Sequence, residues 1–147
     1  MKKAWNVYEY TSEKNDSTNV HMRVTSISNF YQKGLKVIQP ELRILCTENT
    51  TSVYVDWGIY LGIRNKEMQY RIESHKSSKT KTFSITTDYE ALGYFSGRKA
   101  IPFIKSLFDE GYITMWVTPY GESTMKAKFE ITGLKIAIAP LRKACHW

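Results

Sequence analysis

The sequence predicts a mainly β protein, an antiparallel β-sandwich or partly closed barrel with one or two packed α-helices. Three observations carry that prediction. Short runs of Val, Ile, Thr, Tyr and Trp with period-two alternation fill the first two thirds of the chain, separated by polar or Gly-containing punctuation. Helical spacing enters only late, and the regular strand–helix alternation of a parallel α/β fold is missing. With 147 residues and 42% apolar content the chain is long enough to bury a core and too apolar to stay disordered. No linker, repeat or low-complexity tract divides it, so a single domain over residues 1–147 is expected.

Six strands are expected before the first helix, over residues 4–10, 19–27, 41–47, 52–57, 67–73 and 80–86. In the second, Val20, Met22 and Val24 share one face while His21, Arg23 and Thr25 take the other, as a sheet with one wet side requires. His21 is therefore expected at the surface. Leu42, Ile44 and Cys46 likewise alternate onto one side, and Asp56 points away from Val53, Val55 and Trp57 as a solvent-side residue. A helix is expected over residues 98–109, where Ile101, Ile104, Leu107 and Phe108 fall at i, i+3, i+6 and i+7. Pro102 is tolerated there in a first turn, and Gly111 ends the run. Two further strands, residues 112–118 and 125–131, are joined through Pro119-Tyr120-Gly121-Glu122, whose Pro and Gly are turn chemistry. The last segment, residues 133–146, puts Leu134, Ile138, Leu141 and Cys145 on one helical stripe, which Pro140 should break or kink. Residues 28–40 and 88–99 are the longest unpatterned stretches, and functional loops are of this kind.

Lys and Arg outnumber Asp and Glu to give a formal charge of +7, which favours acidic partners without choosing among them. The densest basic stretch, His75-Lys76-Ser77-Ser78-Lys79-Thr80-Lys81, reads first as a solvated hairpin loop and second as a specific anion site. It does not alternate with the stacking aromatics that single-stranded nucleic acid needs, so a nucleic-acid partner is the least favoured class. No apolar run approaches the roughly 18 residues that cross a bilayer, so no transmembrane segment is expected. The N-terminus passes directly into aromatic-polar alternation, predicting no signal peptide in the chain as it stands. Residence is then periplasmic or extracellular if a signal has been removed, and cytoplasmic otherwise.

Motifs that carry chemistry are missing. His21, His75 and His146 are too far apart in sequence to suggest a zinc pair, and there is no Cys-x-x-Cys, Walker loop or dinucleotide fingerprint. Gly93-Tyr94-Phe95-Ser96-Gly97 has the wrong spacing for a nucleophile elbow and reads as a loop. The expectation is a protein that is not an enzyme, with no metal, cofactor or catalytic residue. Tyr and Trp residues on or beside strands serve equally as core packing or as a ligand platform. For a glycan or peptidoglycan fragment, Trp57, Tyr60, Arg71 and Tyr120 are the candidate platform and donors. For a protein partner the candidates are the edge strands and Lys76, Lys79 and Lys81. Cys46 and Cys145 both fall on apolar faces, and spacing alone leaves a disulfide and two unrelated buried thiols as equal alternatives.

Several blocks, taken in order, resemble the type VI secretion system-associated TagO/VasI family. Leu42-Arg43-Ile44-Leu45-Cys46, Glu48-Asn49-Thr50-Thr51 and Val53-Tyr54-Val55-Asp56-Trp57-Gly58 are similar to that family's Leu-x-Ile-Arg-Cys, Asn-x-Thr and Trp-Gly pattern. Tyr70-Arg71-Ile72 and Phe83-Ser84-Ile85-Thr86-Thr87-Asp88 resemble two further blocks. The C-terminal third matches best, through Ile101-Pro102-Phe103-Ile104-Lys105-Ser106-Leu107, Val117-Thr118-Pro119-Tyr120-Gly121-Glu122-Ser123 and Phe129-Glu130-Ile131-Thr132-Gly133-Leu134. It ends in Pro140-Leu141-Arg142-Lys143-Ala144-Cys145-His146-Trp147, close to the family's own ending. The resemblance implies an envelope-associated accessory domain, with prophage-borne relatives, whose Cys46 and Cys145 pair. It further implies a non-enzymatic role and an envelope or secretion-system protein as partner.

Overall fold

A computed structural model describes residues 4–27, 31–33 and 36–147. Part of the unpatterned stretch 28–40, and the first three residues of the N-terminus read for a signal, lie outside the described residues. Nine strands form one antiparallel sheet: β1 (Asn6–Thr11), β2 (Thr18–Thr25), β5 (Glu41–Thr47), β6 (Thr50–Asp56), β7 (Lys66–Ile72), β8 (Lys79–Ile85), β9 (Ala91–Tyr94), β10 (Tyr112–Val117) and β11 (Met125–Glu130). Its spatial order is β1-β2-β5-β6-β9-β8-β7-β10-β11. A separate two-stranded hairpin, β3 (Tyr31–Lys33) and β4 (Lys36–Ile38), leads into β5.

The sheet curls over its own apolar face, and its two ends approach without laddering. The Ile27 N–H, just past β2, donates to the Lys128 carbonyl of β11 at 2.9 Å, and the Trp5 indole donates to the Ile131 carbonyl at 3.3 Å. Of the two architectures expected, the partly closed barrel describes this sheet. Alternation places Val20, Met22 and Val24 of β2, Leu42, Ile44 and Cys46 of β5 and Val53 and Val55 of β6 inside. Met68, Tyr70 and Ile72 of β7 and Ile113, Met115 and Val117 of β10 close the core from the other side.

β5 and β6 are joined by a two-residue hairpin turn, Glu48-Asn49, with positive φ at both positions (49° and 62°). That is the turn whose twist matches the flanking strands. β9 corrects the reading of 88–99 as unpatterned and of Gly93–Gly97 as a loop: Ala91, Leu92 and Gly93 are all buried, so the strand lacks the alternation that betrays a half-wet one. Gly93 is required there, because an added Cβ would fall on the Val53 carbonyl and the Tyr54 side chain of β6.

α1 (Gly97–Lys105) begins directly after β9 and packs against β6 and β9. It is shorter than expected, and Pro102 lies inside it; without an N–H, Pro102 cannot extend the helical ladder, and the helix is over three residues later. The C-terminal stripe breaks as expected. α2 (Leu134–Ala137) and α3 (Ala139–Ala144) meet at Ile138, with Pro140 in the first turn of α3, where its missing N–H costs nothing. Leu134, Ile138, Leu141 and Cys145 are buried along one face.

Candidate functional site

Cys46 and Cys145 form a disulfide, with Cα atoms 5.9 Å apart. The strand alternation of β5 turns Cys46 inward, and α3 lies across β2 and β5 so that its stripe presents Cys145 to it. Around the staple, the Trp147 indole donates to Thr51 Oγ1 at 2.8 Å, His146 Nδ1 bonds Asn49 Oδ1 at 2.9 Å, and Arg142 Nε donates to the Trp147 carbonyl at 3.1 Å. The last residues of the chain are thereby held on the β5–β6 turn.

The four residues expected to form a glycan platform do not converge. Trp57 continues the inward alternation of Val53 and Val55, is 0% exposed, and points its indole N–H at Met68 Sδ, 3.3 Å away. It is a core residue and offers no surface, which corrects its assignment to a platform. Tyr60 (45% exposed) and Tyr120 (75% exposed) do share one end of the barrel. There the Leu61 N–H donates to the Tyr89 carbonyl, the Tyr120 N–H donates to the Leu61 carbonyl, and the rings of Tyr60 and Tyr89 meet edge to face at 6.2 Å. Arg71 lies elsewhere, paired across from Thr114 with its Nε donating to the His75 carbonyl at 2.9 Å. The register of β7 holds it far along the strand from the loops that carry the tyrosines, so it cannot act with them.

Lys79 and Lys81 are placed differently from a solvated loop. They belong to β8, where Lys79 pairs with Tyr70 and Lys81 with Met68, and paired residues share a sheet face. Both lysines therefore stand on the core side of the sheet, at the end that α1 leaves partly uncovered. Opposite them the first turn of α1 presents Arg98 and Lys99. The result is a shallow groove of about 550 Å³ lined by these four cations, by His75, and by Tyr70, Tyr94 and Phe103 along its floor. No Asp or Glu lines it. Lys76 is exposed in the β7–β8 turn and does not line the groove.

The floor is an aromatic cluster packed on itself. Tyr70, Phe83, Tyr94 and Phe103 make edge contacts at centroid distances of 5.3–6.3 Å, and Phe83 stacks on Tyr94 at 4.5 Å. Burial pushes the Tyr70 and Tyr94 phenols up, so both remain neutral donors near neutral pH. Lys99 Nζ lies 6.0 Å from the Tyr94 ring centroid, over its face. Sequence reasoning missed Arg98, Lys99, Tyr70 and Tyr94 as a group. One signal was available: α1 has two basic residues and no acidic one in its first turn, against the preference set by the helix dipole.

Elsewhere the polar groups are engaged locally. His21 is half-buried, accepting or donating to the Tyr10 hydroxyl at 3.2 Å, and is held below the usual imidazole range by burial and then by Arg43. Asp56 lies on the outer side, where Oδ1 accepts the Gly58 N–H at 3.0 Å. Glu41 bridges Arg43 (2.6 Å) and Arg23 (3.4 Å), which face each other across β2 and β5. Among the described residues no group of three or more His, Cys, Asp or Glu is placed to hold a metal. No helix among the described residues is long and apolar enough to cross a membrane.

The family described as type VI secretion system VasI, EvfG matches residues 2–147. The chain belongs to the VasI family. Comparison with curated proteins returned no match. Among solved structures, the crystal structure of invasion associated protein b from Bartonella henselae is similar, with a TM-score of 0.62 at 10% identity over 95% of this chain and 91% of that one. At that identity the likeness is one of fold. VasI-family membership suggests a type VI secretion-associated protein, and together with the disulfide it fits a protein of the cell envelope.

Proposed function

We propose that this VasI-family chain is a non-enzymatic accessory module that works in the periplasm or outside the cell, docking an envelope protein of the secretion machinery. The disulfide is the observation that carries the reading. A Cys46–Cys145 bond persists only in an oxidising compartment, and it ties the C-terminal segment to the middle of the sheet. Such a frame presents fixed surfaces, which suits binding more than a reaction cycle. The polar groups agree: the hydrogen bonds of His21 and His146 go to Tyr10 and Asn49, and not to a hydroxyl or thiol nucleophile of serine or cysteine, among the described residues.

The test is fractionation of cells making the protein, with thiols trapped by alkylation at lysis, followed by crosslinking. Oxidised protein in the envelope fraction, crosslinked to a secretion-system component, is expected. Reduced thiols on folded protein in the cytoplasm would refute the placement. A catalytic turnover lost on substituting a single side chain would refute the non-enzymatic role.

A further inference from the structure

We infer that the groove between β8 and α1 docks an acidic segment of a partner protein, whose carboxylates meet Lys79, Lys81, Arg98 and Lys99. This names the surface and the partner chemistry of the docking role proposed above and rests on it for the identity of the partner as a protein. The anion chemistry stands on the groove itself. Four cations line one shallow cleft with no acidic residue among its lining, and none of them has an ion pair among the described residues. Each repels the others, and a polyanion relieves that repulsion.

The other classes of polyanion lack what they need here. Single-stranded nucleic acid and sugar rings bind by stacking on exposed aromatic faces, but Tyr70, Tyr94, Phe83 and Phe103 direct their rings against one another. A membrane surface needs apolar side chains to insert beside the cations, and none of the large exposed apolar residues lines the groove. An extended acidic peptide fits on both counts. Its alternate side chains recur at about 7 Å, the same spacing at which Lys79 and Lys81 recur along β8. β8 pairs with β7 from Lys79 to Phe83 but with β9 only through Ser84 and Ile85, so beside the two lysines its other edge faces the groove, and backbone pairing along that edge can add to recognition by the side chains. The Tyr70 and Tyr94 hydroxyls at the floor add neutral donors for the same carboxylates.

The experiment is fluorescence anisotropy on the full oxidised chain with a labelled peptide of alternating Glu and Ser. The groove variant K81Q/R98Q is compared with K135Q/K143Q, which removes the same charge from exposed positions on α2 and α3. Affinity should fall about tenfold or more for the groove variant and less than about twofold for the control. Hydrogen exchange on the unmutated protein should show peptide-dependent protection in β8 and the first turn of α1, which keeps the test decisive if the groove variant folds poorly. Equal losses in both variants, or no saturable binding, would overturn the site. Tighter groove-dependent binding of inorganic polyphosphate or of phosphatidylglycerol vesicles would overturn the acidic-segment assignment. None of these outcomes alters the thiol state or the cell fraction, so failure of the groove and failure of the envelope reading are told apart.

Discussion

Reducing the Cys46–Cys145 bond should destabilise the domain by an amount that chain statistics allow to be worked out. The bond closes a loop with a sequence separation of 99 residues, so the loop-entropy relation gives roughly 4.7 kcal/mol near room temperature. Spread over a 147-residue chain whose unfolding entropy follows the usual per-residue value, that corresponds to a fall in Tm of roughly 15 °C. Docking of α3 should survive reduction, because Leu141 stays buried and the Trp147–Thr51 and His146–Asn49 hydrogen bonds do not depend on the sulfur atoms. The loss is therefore assigned to the unfolded state, which regains freedom when the crosslink is cut. Far-UV circular dichroism of oxidised and phosphine-reduced protein, melted thermally and in urea, measures it. The reduced chain should also show a larger urea slope, since its denatured state is less compact. Midpoints within about 3 °C of each other, or less than about 1 kcal/mol, would mean that the staple constrains little and that the chain-entropy reasoning is wrong here.

Gly93→Ala should lower stability by about 2–3 kcal/mol or more, because the new methyl group meets the Val53 carbonyl and Tyr54 within a central pair of strands that cannot part without breaking the β6–β9 ladder. A urea midpoint unchanged from that of the parent protein would contradict the close approach. His21 supplies a pH dependence of defined sign. As pH falls through the ordinary imidazole range the unfolded chain takes up a proton that the folded one resists, so stability drops with pH until the lowered folded value is reached. The His21 share of stability is complete above the ordinary value. His21→Gln should flatten the urea midpoint between about pH 7 and about pH 5, and an unaltered slope there would show that burial and Arg43 do not hold the ring neutral.

The parts of the fold legible in the residues are those with a wet side. β2, β5 and β7 announce themselves because each alternates between core and solvent, and the C-terminal stripe does so at helical spacing. β9 was not legible, because Ala91, Leu92 and Gly93 are buried in succession and leave no alternation to read. Trp57 was misassigned for a different reason. Its chemistry suits a platform as well as a core; the alternation that sets it on the face of Val53 and Val55 already pointed inward, and its complete burial decides for the core.

The sequence by itself determined the fold class, the family blocks and the pairs of faces that must be buried, since these rest on local periodicity and on residue types in order. Whether Cys46 meets Cys145 was open from spacing and implied only by the family resemblance; the packing of α3 on β2 and β5, which no local pattern encodes, brings the two together. The groove depended on the same kind of decision. Lys79 and Lys81 look like loop charges in one dimension, and Arg98 and Lys99 like a poorly capped helix start. They become one site because the pairing of β7 with β8 sets the lysines on the core side of the sheet and the seat of α1 on β6 and β9 brings its first turn opposite them. Contacts between residues far apart in the chain are set by how whole elements pack, and that is settled by the core they bury in common.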